Sequence, residues 1–189
     1  MFPGGVKYNT ASFAILLGLI GVYAYGYFTG TQNYIIPTYG VSLHSPSYTW
    51  ITYAFIHGGI LHIVMNSLVL MQTGHIIEDW MGVKRFLFFS MLCAVFAGLG
   101  GTWLGYLIGQ PNTILIGYSG VIFGYFGVLG FMVVSRARDK KKALIDIAIQ
   151  NPLLVALIIL PFVMNIGISG EGHLMGLIFG AATAKYFLK

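Results

Sequence analysis

The chain has 189 residues, 57% of them hydrophobic and only 8% charged, with a formal net charge of +5. Soluble domains carry about 25% charged residues, so this composition excludes a water-soluble fold. We expect an integral membrane protein forming one domain over residues 1–189, without a separate soluble domain. The single cysteine, Cys93, lies in an apolar run and leaves no role for disulfides.

A spanning helix needs roughly 20 mainly apolar residues. The opening "MFPGGVKYNT" is too short and too weakly basic for a cleaved signal peptide, and the run that follows lacks a small-residue cleavage site. The first span, about Ala11–Phe28, is therefore read as retained. An outer loop, about Thr29–Phe55, holds Tyr34, Tyr39, Tyr48, Trp50 and Tyr53. Such aromatics belong at a membrane interface. The second span is about Ile56–Thr73 and the third Phe86–Ile108, with Lys84 and Arg85 between them. The fourth is about Ser119–Val134. It is followed by "RARDKKK", read as a solvated cytoplasmic loop in preference to a nucleic-acid or lipid-binding patch. The fifth, Pro152–Ile168, and sixth, Gly172–Phe187, close the chain. Lys7, the two basic loops, Lys185 and Lys189 all fall on one side of this arrangement, so the positive-inside rule places both termini in the cytoplasm. No internal repeat suggests an inverted-repeat transporter.

Polar groups inside a membrane are costly and mark function or helix–helix contacts. His62 and Asn66 are four apart and share one helix face. With Ser119 and His173 they occupy the outer halves of three spans that run in the same direction. A serine hydroxyl needs a base to become a nucleophile, and His173 is the only histidine on the fourth or sixth span. Asn66, His62 and the backbone N–H of Ser119 at a helix start could stabilise an oxyanion. Phe123, one turn after Ser119, offers a packing surface for an imidazole that has no acid to orient it. Taken singly, these residues have plainer readings. A serine between Gly117 and Gly120 suits tight helix packing, as do Gly176 and Gly180. His57, His44 and His75 read as interfacial. No His-Glu-x-x-His and no deep aspartate pair is present, because Asp79, Asp139 and Asp146 lie in or near cytoplasmic loops. No bis-histidine haem motif is evident either. No metal, cofactor or nucleic-acid partner is expected.

Together, "FIHGGILHIVMN", "GHIIEDWMGVKRF", "GYSGVIFG" and "GHLMGLIFG" resemble the rhomboid intramembrane serine proteases over about Trp50 to the end. The resemblance implies an all-α, six-helix bundle in which Ser119 is the nucleophile and His173 the general base. It puts His62, Asn66 and Gly117 around the oxyanion, with Phe123, Gly120, Gly176 and Gly180 in support. It also implies substrates that are transmembrane helices of single-pass proteins, entering from the lipid bilayer and cut near their outer end. The expected location is the cell membrane, as a multi-pass protein of a prokaryotic plasma membrane. Three departures stand out. Trp50 is followed by Ile51 where the family often has arginine, and Phe123 replaces a frequent tyrosine. Glu171-Gly172 precedes His173 where alanine is frequent, which is expected to loosen the loop over the site. The chain is also expected to lack the extra cytoplasmic domain or seventh helix of some relatives. The rival reading is a proteolytically inactive relative that binds membrane proteins, and the intact Ser119 and His173 argue against it.

Overall fold

The structure, a computed structural model, describes residues 10–163 and 169–188. Lys7, Lys189 and the end of the predicted fifth span lie outside the described residues. The helices are α1 (Thr10–Thr29), α2 (Gln32–Tyr39), α3 (Thr49–Thr52), α4 (Ile60–Met81), α5 (Val83–Leu107), α6 (Ser119–Arg136), α7 (Lys140–Gln150), α8 (Pro152–Val163) and α9 (Gly170–Phe187). A 3-10 turn at Tyr53–Phe55 precedes α4. The described residues contain no strand, only a single antiparallel bridge between Val41 and Leu115.

Four helices, α1, α4, α5 and α6, are long and apolar enough to cross a bilayer. The pair α7–α8, bent by 85°, counts at most as a fifth. Helix α9 has 18 residues but carries Glu171 in its first turn and Lys185 in its last, and does not reach that measure.

Two segments read as loops are partly helical. The aromatic outer loop contains α2, α3 and the 3-10 turn. Near hydrocarbon, backbone N–H and C=O groups must be satisfied internally, and short helices do this. In "RARDKKK", the Lys140–Lys142 stretch begins α7, because the Asp139 side chain accepts from the Lys142 N–H at 2.9 Å and caps the helix.

The start of α1 depends on a distant residue. Glu78, near the end of α4 and buried, accepts from the Ala11 N–H (3.0 Å), the Ser12 N–H (2.8 Å) and the Ser12 hydroxyl (2.7 Å). A carboxylate there satisfies orphan donors and complements the positive end of the helix dipole.

Helix α6 lies at the centre, with Val121, Ile122, Phe123, Tyr125 and Val128 buried. Against it α9 packs backbone to backbone. A Cβ at Gly176 would run into the Gly120 carbonyl oxygen, and one at Gly180 into that of Gly124. Small residues allow this approach, and van der Waals contact then holds membrane helices together. On the α5 side, a Cβ at Gly101 would meet the Gly172 Cα at 2.9 Å. A buried hydroxyl chain runs from Tyr118 to Tyr125 (3.0 Å), from Tyr125 to Ser90 (2.7 Å) and from Ser90 to the Phe86 carbonyl (2.7 Å), tying α6 to α5. The close seam between α6 and α9 brings the start of each helix to the same level.

Candidate active site

Ser119 is the first residue of α6, so its backbone N–H has no acceptor within the helix. The chain reaches it through Gly117 at φ +102, a conformation that side-chain-bearing residues rarely adopt. The Gly117 N–H donates to the Tyr53 carbonyl at 2.9 Å. Its amide is thus already engaged, and its contribution to the site is steric. A Cβ there would sit 2.5 Å from His62 Nε2 and 3.4 Å from Asn66 Nδ2.

His173 stands in the first turn of α9. Ser169 caps that helix by accepting from the Gly172 N–H at 3.1 Å, and it donates to Glu171 at 2.8 Å. Glu171 is buried. The Ser169 cap and the Ser169–Glu171 contact hold the first turn of α9, and the loop that the Glu171-Gly172 pair is expected to loosen lies outside the described residues.

His173 Nε2 lies 2.8 Å from Ser119 Oγ, and Nδ1 lies 2.9 Å from the Leu157 carbonyl on α8. A carbonyl can only accept, so Nδ1 carries the proton and Nε2 is free to accept from the serine hydroxyl. The imidazole stacks on the Phe123 ring with centroids 4.2 Å apart and planes 8° from parallel.

Asn66 faces the same space from α4. Its Nδ2 donates to His57 Nε2 at 2.9 Å, while His57 Nδ1 donates to the Phe55 carbonyl at 3.3 Å. The His62 ring lies 4.9 Å from that of His57, edge-on. This corrects the interfacial reading of His57, which is 1% exposed and forms part of the hydrogen-bonded surroundings of Asn66. Burial, and next the neighbouring His62, lower its pKa to about 4. It is therefore neutral at physiological pH and keeps Nε2 open as an acceptor. His44 and His75 are exposed.

A cavity of about 740 Å³ gathers Ser119, His173, His62, Asn66, Gly117, Gly120 and Phe123 on its walls, with Leu153 and Leu157 contributed by α8. Gly176 and Gly180 do not line it and instead face the α6 backbone. Ile51, where the resemblance expects arginine, is 40% exposed. Among the described residues, no cluster of three or more His, Cys, Asp or Glu side chains could hold a metal ion. Sequence reasoning missed His57, the Tyr53 carbonyl and the Leu157 carbonyl. The histidine carried a faint signal, because it opens the "HGGILHIVMN" motif. The Tyr53 carbonyl carried none, and that of Leu157 carried only the proline four residues after it.

The fold is that of a polytopic helical membrane protein, with Ser119 and His173 on the wall of one cavity. The family model described as Rhomboid domain matches residues 44–189, and the chain belongs to the rhomboid family. It is similar to "Putative rhomboid protease YdcA" of Bacillus subtilis (strain 168), with 32% identity over 136 residues, covering 69% of this chain and 62% of the relative. It is also similar to "Rhomboid protease GlpG" of Yersinia pestis (strain Pestoides F), with 24% identity over 174 residues, covering 90% of this chain and 60% of the relative. The chain thus spans 60–62% of the length of these relatives. Family membership and the long apolar helices make it a multi-pass integral membrane protein.

Proposed function

We propose that the protein is an intramembrane serine endopeptidase with a Ser119–His173 dyad. The observation that carries this reading is the 2.8 Å contact between Ser119 Oγ and the unprotonated Nε2 of His173. As Ser119 Oγ attacks a peptide carbonyl carbon, His173 Nε2 takes the hydroxyl proton. The carbonyl π pair moves onto oxygen, and the resulting oxyanion is met by Asn66 Nδ2–H, His62 and the Ser119 backbone N–H. The C–N bond then breaks, and the imidazolium gives its proton to the leaving amine. Water, activated by the same imidazole, hydrolyses the acyl ester and restores the serine. Gly117 keeps the oxyanion pocket open because it has no Cβ.

The substrates on this reading are transmembrane segments of single-pass membrane proteins, entering from the bilayer and cut near their outer end. The chain forms one domain with six spans, α9 and the α7–α8 pair included, and both termini are cytoplasmic.

The test is labelling of the purified protein with a fluorophosphonate probe, alongside cleavage of a transmembrane substrate. Wild type should label and cleave. Ser119→Ala should do neither while unfolding at nearly the same temperature, since alanine also suits a packed membrane helix. A Ser119→Ala variant that still cleaves overturns the dyad, and a wild-type protein that neither labels nor cleaves favours the binding-only alternative.

A further inference from the structure

The His173 imidazole has a second nitrogen, and what holds it is unusual. In a serine hydrolase triad a carboxylate accepts from Nδ1–H and fixes the tautomer. Here the nearest acid in sequence, Glu171, is taken up by the Ser169 hydroxyl at 2.8 Å. Nδ1 instead meets a main-chain oxygen, that of Leu157 in the middle of α8, at 2.9 Å.

A carbonyl inside an α-helix is normally occupied by the N–H four residues on. Four residues after Leu157 stands Pro161, still within α8. Proline has no backbone N–H. The Leu157 oxygen therefore lacks its helical donor, and an unsatisfied carbonyl inside a membrane is strongly disfavoured. The imidazole lacks an acid, and the helix lacks a donor. One hydrogen bond meets both needs.

We propose that Pro161 is a positioning residue. By leaving the Leu157 carbonyl without a helical partner, it provides the acceptor that locks His173 in the Nδ1–H tautomer, with Nε2 turned to Ser119. The inference rests on the Ser119–His173 reading. Phe123 fixes the plane of the ring by stacking but cannot choose between its two nitrogens. The Leu157 oxygen makes that choice, because it can only accept. A neutral carbonyl does not bring the charge of a carboxylate. Its part is to orient the base and hold its tautomer.

The full-length protein with ¹⁵N-labelled histidine, reconstituted in lipid, tests this directly. The His173 signals should show a proton on Nδ1 and none on Nε2 at neutral pH, and the opposite tautomer overturns the proposal whether or not the enzyme is active. Activity gives the second arm. Pro161→Ala restores an N–H at position 161 that competes for the Leu157 oxygen. It should lower kcat about tenfold or more, leave KM nearly unchanged and slow fluorophosphonate labelling to match. Lactic acid incorporated at position 161 has the same methyl group as alanine but an ester oxygen in place of the N–H, and it should return kcat to near the wild-type value. If Pro161→Ala is as fast as wild type, or if the alanine and lactate variants are equally slow, the missing N–H is not what matters and the proposal fails. A wild-type protein without activity would instead sink the dyad itself, which the tautomer measurement does not depend on.

Discussion

Asn66 is held by His57: the carboxamide N–H reaches the imidazole Nε2 at 2.9 Å. His57 is itself anchored, through Nδ1 to the Phe55 carbonyl at 3.3 Å and through its own carbonyl, which accepts from Gln32 Nε2 of α2 at 2.8 Å. The outer segment, otherwise remote from the chemistry, thereby sets the direction of the Asn66 side chain. An oxyanion donor is worth roughly 100- to 1000-fold in turnover. His57→Leu should lose part of this, about tenfold or more. Residues in one network are not additive. The His57→Leu/Asn66→Ala double variant should therefore be no slower than Asn66→Ala alone. Losses that multiply in turnover would mean that His57 acts elsewhere.

The same histidine sets a pH dependence of stability. Its folded pKa is lowered to about 4, against about 6.5 for a free imidazole. Between these values the unfolded chain binds the proton more readily than the native state. Stability should therefore fall as pH drops from about 6.5 to about 4 and change little from this group below that. Thermal unfolding in detergent across this range measures the slope, and His57→Gln should flatten it. An equal slope in that variant would assign the effect to other groups.

Gly176 has no room for a side chain, since its Cβ would overlap the Gly120 carbonyl oxygen of α6. Overpacking of this kind costs about 1–3 kcal/mol. Gly176→Val should lower the unfolding temperature and part Ser119 from His173, so both stability and labelling fall. Gly21 on α1 has nothing within 4 Å of a Cβ. Gly21→Ala should leave activity intact and stabilise by up to about 1 kcal/mol through helix propensity. A Gly176→Val variant with native stability would refute the close seam.

Glu78 serves α1 and not the chemistry. It lies about 18 Å along α4 from Asn66, at 1.5 Å per residue. Glu78→Gln turns a carboxamide NH₂ toward the donors of Ala11 or Ser12 and leaves one of them unsatisfied. The expected cost is about 1–3 kcal/mol of stability. The folded fraction should label at the wild-type rate. A labelling defect without a stability loss would place Glu78 in the catalytic machinery.

The charge pattern also predicts an orientation that can be measured. In a Cys93→Ala background, Thr113→Cys should react from outside sealed cells with an impermeant thiol reagent, and Lys141→Cys should not. Lys141 is exposed on α7 and therefore reachable from the side it faces. Labelling of position 141 from outside would invert the proposed topology.

Runs of about 20 apolar residues report the bilayer itself, whose thickness sets helix length. For that reason α1, α5 and α6 begin and end within a few residues of the boundaries read from sequence. The residues of the candidate site were legible for a related reason. Ser119, His173, His62 and Asn66 are polar side chains in apolar surroundings, where burial without a purpose is penalised. Sequence could not reveal what joins them. The 2.8 Å approach of residues 54 apart follows from the Gly176–Gly120 seam, and a helix register is settled only when two surfaces meet. His57 looked interfacial because its burial is decided by how the 3-10 turn and the start of α4 fold over it. The α7 helix was hidden in a charged stretch because a lysine-rich run is compatible with both loop and helix, and the Asp139 cap decides between them. The Leu157 oxygen was legible only in part. Pro161, four residues on, marks this carbonyl as one without a helical donor, but only the folded backbone shows that it faces an imidazole.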